Sequence, residues 1–498
     1  MNTRLCFTAL FFLAVSISQG GSVVSNSRFV LLPVTNDPTI SFKIEFLAGS
    51  QNDPAGKEGL AAITAGMLTD AATRKNSYED ILDRLYPLAA AYSASVSVEQ
   101  VVIAGRVHKD NLKDYYPLLM DAILRPAFHQ DDLDRLKSQA INYLENQLRY
   151  SSDEELGKAL LYTTIFAGTG YGHIHEGLVS SVKSITLDDV RAFYGKYYTE
   201  GNVVIGLGGG YDQALLDMLK KDLAELPPGT PPIAPKPAPK AEKGFNVVMV
   251  DKDAPATAIS IGFPLDVLRG QKDWYPLALA TSWLGEHRNS SSHLYQVIRE
   301  QRGLNYGDYA YIEHFPNGGM RTVPPQNVAR RQQIFEIWIR PVPNETRFFA
   351  LRAALHEYKH LVDHGMTQQE FELTRSFLSK YILHFAPTTM ERLGYALDDR
   401  FYGIKGSHLQ NYRTALKSMT LKEVNTAIRK HFHYGNMEIA VVTKDAESWK
   451  QALLNDAPSP ITYKTPKPES VLKEDKVIEK YPVKVGNVKV MKVEDLFK

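Results

Sequence analysis

Hydrophobic positions along the chain recur with the spacing of strands in some segments and of helices in others. Apolar runs at residues 29–46 and 245–263 predict two pairs of strands, each pair split by a short polar turn. Helical spacing of apolar residues dominates five segments, residues 59–69, 131–149, 153–166, 346–364 and 367–381. Strands and long helices in this mixed order predict an α+β fold.

The pattern of the first half of the chain is repeated in the second half. Thr186 and Thr420 each open an amphipathic helix, and each is followed three residues later by an acidic residue, as in a capping box. A Gly-Asn pair then precedes a β-rich run, with Asn202 and Asn436 in equivalent places. Both pairs of landmarks are 234 positions apart, so the sequence predicts an internal duplication into two homologous α+β domains.

Prolines mark the boundary between the two predicted domains. Residues 227–244 contain seven prolines in eighteen positions. Proline fixes φ and lacks a backbone donor, so we expect an extended connector outside either core. The domains then occupy residues 21–226 and 245–457, and the lysine-rich residues 458–498 are expected to form an appendage.

The first twenty residues have the pattern of a removable export signal. Arg4 precedes an apolar run, and small residues follow that run at positions 16–18. The run is too short to span a bilayer, so residues 1–20 are interpreted as a signal peptide. We therefore expect an exported protein, periplasmic if the source is a Gram-negative bacterium. The single cysteine, Cys6, lies in this segment, so we expect a mature chain without disulfides or a cysteine-ligated metal.

Composition narrows the classes of partner. The chain has 57 basic and 56 acidic residues, a formal net charge of +1. This balance provides no field that would attract nucleic acid or an anionic membrane surface, and no further segment predicts a membrane span. The hydrophobic fraction of 44% is typical of chains that bury packed cores.

One segment has the spacing of a zinc site. His356 and His360 lie four positions apart on a predicted helix, and Glu357 is placed to act as a base on a zinc-bound water. The helix is also explained without a metal, because its apolar residues form a core stripe, Asn344 is available to cap it and Gly365 to end it. An amphipathic surface helix is the favoured interpretation, and a stand-alone zinc peptidase using these three residues is an alternative.

Two glycine-containing segments are interpreted as structural. Residues 206–210, GLGGG, follow a predicted strand, but their spacing matches neither the dinucleotide-binding nor the P-loop pattern. The loop at residues 171–176 contains two histidines without a companion cluster, which favours a turn over a metal site.

The most informative segment is Arg299-Glu300-Gln301-Arg302-Gly303-Leu304-Asn305-Tyr306. It predicts a helix broken at Gly303 and a strand over residues 304–311. The pattern R-E-x-R-G-L-x-Y resembles the pitrilysin/insulinase family of zinc metallopeptidases, which includes the mitochondrial processing peptidases. The resemblance runs from about residue 28 to about residue 455. It implies two homologous domains that close like a clamshell around a peptide chamber.

The resemblance also locates a helix on which the family carries zinc with the motif H-x-x-E-H. In this chain the two histidine positions fall on Ala62 and Gly66, and the position of the base falls on Ala65. A methyl group or a hydrogen has no lone pair for zinc, and no carboxylate remains to activate water. The family's distal glutamate ligand corresponds loosely to Glu145. We therefore expect this chain to bind no cofactor itself.

The opposite half of the family's active site is retained. The resemblance implies that Arg299 and Tyr306 hold substrate backbone and the developing oxyanion, a role suited to fixed hydrogen-bond donors. The resulting hypothesis is a zinc-less complementary subunit that is inactive alone. It would pair with a homologous, zinc-bearing subunit to hydrolyse extended or unfolded peptides. The alternative from another class is a peptide-binding or assembly scaffold without a hydrolytic role.

Overall fold

The computed structural model describes residues 24–25, 28–240, 243–316, 319 and 321–498. The predicted signal peptide, residues 1–20, lies outside the described residues. Within these ranges, every helix is too short or too polar to cross a bilayer.

The first half of the chain forms a mixed sheet with helices packed on it. Its strands are β1 (Val24–Ser25), β2 (Phe29–Pro33), β3 (Thr39–Phe46), β4 (Ala91–Val96), β5 (Val101–His108) and β6 (Val203–Gly209). Its helices are α1 (Leu60–Thr69), α2 (Tyr78–Leu85), α3 (Leu112–Leu124), α4 (Gln130–Asn142), α5 (Asp153–Ile165), α6 (Val179–Ser184), α7 (Leu187–Tyr197) and α8 (Gln213–Leu223). A π-helix, Tyr143–Ser151, continues α4.

The second half repeats this order of elements. Its strands are β7 (Gly244–Asp251), β8 (Ala256–Leu265), β9 (Asp308–Tyr311), β10 (Gln333–Pro343), β11 (Asn436–Thr443) and β12 (Val485–Lys492). Its helices are α9 (Trp274–Gly285), α10 (Arg347–His364), α11 (Gln368–Tyr381), α12 (Thr389–Phe401), α13 (His408–Ser418), α14 (Leu421–His431), α15 (Ala446–Leu454) and α16 (Glu469–Ile478). A π-helix, Tyr295–Glu300, precedes β9.

The two sheets have equivalent topologies. The strand order is β1-β2-β6-β3-β5-β4 in the first sheet and β12-β7-β11-β8-β10-β9 in the second. In both, the second and third strands are parallel and the third and fourth are antiparallel. The helices α7 and α14 begin at Thr186 and Thr420, whose capping boxes form as expected. The predicted α+β fold and internal duplication are therefore confirmed.

One helix of each half packs on the sheet of the other half. Helix α5 packs on β8 and β11, and α12 packs on β2, β3 and β6. Helix α5 thereby joins a hydrophobic cluster that includes Leu156 and Leu160 together with Ala258 and Val442 of the second sheet. Both sheets are therefore buried on one face by their own helices and on the other by a helix from the opposite half of the chain.

The glycine-rich run at residues 206–210 makes this exchange possible. A Cβ at Gly208 would lie 3.0 Å from Cγ2 of Thr389, and one at Gly206 would lie 3.3 Å from Cδ1 of Leu397, both on α12. Glycine at these positions lets the helix approach the sheet closely. This packing role agrees with the absence of a phosphate-binding pattern in the sequence.

Buried polar contacts also join the halves. The Nε of Arg331 donates to both carboxylate oxygens of Glu99 at 3.0 and 3.1 Å, and its Nη1 donates to the carbonyl of Ala234 in the proline-rich connector at 2.7 Å. The hydroxyl of Tyr171, at the turn predicted for residues 171–176, also donates to Glu99. One arginine therefore ties the second half to the first half and to the connector, which forms neither helix nor strand over residues 227–240.

The lysine-rich segment, residues 458–498, is an integral part of the second sheet. Strand β12 pairs in parallel with β7, so the sheet extends beyond residue 457. The residues after β12 then cross to the first half, where the Val179 amide donates to the Phe497 carbonyl at 2.8 Å and Arg149 donates to the Leu496 carbonyl. We call residues 493–498 the strap, because they connect the second sheet to the helices of the first half.

Two local expectations differ from the structure, and a third is confirmed. The strand predicted for residues 304–311 is formed only at Asp308–Tyr311, because Asn305 turns the chain by accepting from the Gly307 amide at 3.2 Å. Asn344 does not cap α10. Its side chain instead bonds Thr257 at 2.7 Å, and the helix begins at Arg347 without a side-chain cap. Gly365 does end α10, with φ of +72°.

We predict that Leu496→Ala in the strap lowers the free energy of unfolding by about 2–4 kcal/mol, because Leu496 is buried in the cluster shared by both halves. Urea denaturation followed by circular dichroism measures this change. Lys498→Ala is the control, since its side chain is 65% exposed and is expected to change stability by less than about 0.5 kcal/mol. Equal midpoints for the two variants would show that the strap contributes little.

Candidate functional site

Helix α1 carries the positions that would bind zinc in the resembled family. It begins after Gly59, whose φ of +100° is left-handed, and the carboxylate of Asp53 accepts from the amides of Gly59 and Ala61 at 2.8 and 2.7 Å. These bonds satisfy donors of the first turn that have no partner within the helix. The apolar face, which includes Leu60 and Met67, is buried in the core of the first half. The helix is therefore well formed and well packed.

The residues on α1 do not fit a zinc ion. Ala62, Ala65 and Gly66 provide no lone pair, and Ala65 is almost fully buried at 1% exposure. A Cβ at Gly66 would lie 3.3 Å from both methyl carbons of Leu136 on α4, so Leu136 occupies the space next to the position of the second histidine. Apolar packing has replaced ligand chemistry at this helix.

The retained pair, Arg299 and Tyr306, is brought together by the π-helix and the turn that follows it. The guanidinium carbon of Arg299 lies 4.8 Å from the ring centre of Tyr295 and 5.9 Å from that of Tyr306. Glu300 forms an ion pair with Arg299. Tyr306 is 76% exposed, which is unusual for a large aromatic side chain in a well-packed protein. The geometry leaves the phenol hydroxyl available to a ligand.

Both residues line one open cavity of about 690 Å³. Its other described wall residues are Pro255, Ala256, Glu300, Gly303, Leu304, Asn305, Pro341, Pro343 and Glu345. All of them belong to the second half, so α1 contributes no described residue to this wall. The structure therefore joins Arg299 and Tyr306 in one site and leaves Ala62, Ala65 and Gly66 on a separate element.

Arg302 fixes the turn between Arg299 and Tyr306. Its side chain is fully buried, with Nε donating to Asp475 at 2.9 Å and Nη2 donating to Glu474 at 2.8 Å, both on α16. Its Nη1 donates to the carbonyl of Val297 at 2.8 Å. Arg302 lies within the R-E-x-R-G motif, but the sequence gives no signal that its carboxylate partners come from the lysine-rich segment.

The alternative zinc residues are arranged differently from a metal site. The Glu357 carboxylate lies between two imidazoles, with Oε2 2.6 Å from Nε2 of His293 and Oε1 2.7 Å from Nδ1 of His356. His360 is exposed and its ring lies 4.7 Å from that of His364. Throughout the described ranges, no group of three His, Cys, Asp or Glu side chains is arranged to hold a metal ion. Glu357 instead serves to anchor the segment that leads into the π-helix.

Comparison with known proteins gives a consistent result. Two family models match the chain, "Insulinase (Peptidase family M16)" over residues 29–174 and "Peptidase M16 inactive domain" over residues 184–378. The chain is 24% identical over 408 residues to "Non-peptidase homolog YmxG" of Helicobacter pylori, covering 80% of this chain and 88% of that protein. It is 21% identical over 267 residues to the mitochondrial-processing peptidase subunit beta of Dictyostelium discoideum, covering 53% and 52% of the two chains.

A solved structure shares the fold. The crystal structure of a peptidase M16 inactive domain from Pseudomonas fluorescens matches with a TM-score of 0.72 and 22% identity. The match covers 86% of this chain and 97% of that one.

We predict that Glu357→Gln destabilises the protein most strongly between about pH 5 and 6.5. Burial opposes ionisation of Glu357, but hydrogen bonds from His293 and His356 prevail and hold its pKa at about 2. This stabilisation is present above the carboxyl's unfolded pKa and is lost as pH falls toward 2. The hydrogen bond between Glu357 and His356 also raises the pKa of His356. The stability that protonated His356 contributes is therefore lost as pH rises through that raised pKa.

Urea unfolding at pH 3, 5.5 and 8 measures the effect, with an expected loss of about 3 kcal/mol at pH 5.5. Glu372→Gln, at a 45% exposed side chain on α11, is the control and is expected to change little at any pH. A Glu357→Gln deficit that stays constant across the three pH values would contradict the ionic anchor.

Proposed function

Because the chain belongs to peptidase family M16, the insulinase family, we propose that it is the zinc-less, complementary subunit of an exported heterodimeric zinc metallopeptidase. In this proposal a homologous partner carries the zinc, and this chain supplies Arg299 and Tyr306. Extended or unfolded peptides are the substrates, and the chain alone has no hydrolytic activity. The pairing is supported by relatives whose names describe them as subunits of mitochondrial-processing peptidase.

One observation carries the proposal: α1 has none of the zinc-binding side chains, whereas the π-helix and the turn after it keep Arg299 and Tyr306. Ala62, Ala65 and Gly66 lack every group that zinc chemistry needs, and Leu136 packs where a ligand would stand. The side chains of Arg299 and Tyr306, in contrast, are both present at the wall of one cavity. An assembly scaffold that holds no peptide would have no need for an exposed tyrosine beside a positioned guanidinium.

The pair has the chemistry to hold a peptide. A guanidinium donates several hydrogen bonds in a fixed plane, and an exposed phenol donates one more. Donors held in place before the reaction stabilise negative charge that develops on a carbonyl oxygen. Tyr295 supports the guanidinium from one side, and the buried Arg302 holds the turn that presents Tyr306. Arg299 and Tyr306 therefore act on substrate, while Arg302 is a positioning residue.

We predict that Arg299→Ala lowers kcat/KM of the reconstituted pair by about 100-fold, and that Tyr306→Phe lowers it by about 10-fold. The pair is this chain mixed with an exported homologue that contains H-x-x-E-H, and turnover is followed with a quenched fluorescent peptide. Arg191→Ala is the matched control, because Arg191 is a half-exposed residue on α7, remote from this cavity in sequence and element.

Unchanged turnover in Arg299→Ala would show that the assigned role is wrong. Peptide binding without hydrolysis in any pairing would favour the scaffold. Near-stoichiometric zinc in the purified chain alone, lost on His356→Ala, would favour the stand-alone peptidase that uses His356, Glu357 and His360.

A further inference from the structure

A second, smaller cavity of about 90 Å³ lies in the second half, apart from the cavity that Arg299 and Tyr306 share. It is lined by residues of α9, β9, α11 and α13 and by residues of the segment that links β9 to β10. An engineered cavity of about 150 Å³ holds a benzene molecule. The volume here therefore suits a group of about four non-hydrogen atoms.

The cavity wall carries a negative charge that no cation of the described residues matches. The carboxyl of Glu286 faces the cavity from the end of α9, and within the described ranges no Lys, Arg or His lies at ion-pair distance from it. Burial raises the pKa of this carboxyl. The Ser282 side chain and the His287 backbone hydrogen-bond to this carboxyl, but neither carries a charge that would balance it. A carboxylate held away from water without a cation either takes up a proton or attracts a cation.

The other charged groups at the cavity are already satisfied. Arg269 pairs with Glu313 at 2.9 Å and with Asp398 at 3.2 Å, so its charge is shared between two carboxylates. Burial lowers the pKa of His314 to about 4, which leaves this imidazole neutral at physiological pH. Of the two described carboxylates that line the cavity, Glu313 is ion-paired with Arg269 and Glu286 has no cation at ion-pair distance.

Five aromatic residues are part of the remaining wall. Trp274 and Tyr412 lie on the side of the helices, and Tyr311, Phe315 and Phe385 complete the wall. The face of an aromatic ring attracts a cation, and the attraction is stronger when the cation is removed from water. Aromatic rings and a carboxylate without an ion-pair partner are together suited to an ammonium group with a short alkyl chain. They are less suited to an anion or to a neutral polar molecule.

We propose that this cavity is a binding site for a small primary alkylammonium group, with the ammonium paired to Glu286 and the alkyl part enclosed by Trp274, Tyr311 and Tyr412. The same chemistry is presented by a free amine and by the end of a lysine side chain. This site is independent of the role of Arg299 and Tyr306, since no residue lines both cavities.

The test compares isopropylammonium with propan-2-ol, its neutral match in size, by isothermal titration calorimetry on the full chain at pH 7.5. We expect the amine to bind about 10-fold more tightly than the alcohol. Glu286→Gln is expected to remove this preference, and Glu447→Gln, at an exposed position on α15, to retain it. A second probe, Nα-acetyl-lysine methylamide, distinguishes a free amine from a lysine side chain. If this probe binds as well as isopropylammonium does, the ligand is a lysine of a peptide.

Ala278→Leu is a second variant that keeps the carboxylate but fills the space, and it is expected to abolish binding of the amine. Equal affinity for amine and alcohol, no binding of either, or amine binding retained in Glu286→Gln would each overturn the proposal. Should neither cavity variant fold, the wild-type comparison of amine with alcohol alone decides the question.

Discussion

The exchange of helices between the halves is the constraint on which the rest of the structure depends. A sheet with one bare apolar face is not stable in water, and here α5 covers the second sheet while α12 covers the first. Neither half can move away without exposing the sheet of the other. The interface also contains charge, since Lys43 on β3 donates to Asn327 and Arg331 pairs with Glu99. The halves are thereby held in a fixed relation, and the strap adds a third connection.

This arrangement explains how α1 can lack zinc-binding side chains and still keep its position in the fold. Leu60, Ile63 and Met67 pack α1 into the core, and none of them is a zinc-ligand position. The absence of metal-binding side chains at positions 62 and 66 therefore leaves the fold intact. The turn that carries Arg299 and Tyr306 is maintained by different interactions, namely buried ion pairs of Arg302. The two halves of the family's active site are held by independent means, so one can be lost without the other.

Sequence reasoning succeeded where a feature has a local or periodic origin. The capping boxes at Thr186 and Thr420 follow from residue chemistry within a few positions, and the internal duplication follows from the constant spacing of these landmarks. The placement of Arg299 beside Tyr306 followed from a motif. The exchange of α5 and α12 was not predictable, because partners in opposite halves of the chain leave no local pattern. The same is true of Arg302 and Asp475, which are 173 residues apart. The same holds for Leu136 against Gly66, and for β12, whose weak alternation reflects its place at the sheet edge.

The decisive measurement is the fate of an extended, fluorescently labelled peptide incubated with this chain alone, followed by anisotropy and mass spectrometry with and without a chelator. If α1 is devoid of metal chemistry and the second half holds substrate, the peptide binds with one dissociation constant in both conditions and stays intact. Cleavage by the lone chain that stops on chelation, or binding that requires added zinc, would contradict that division of roles.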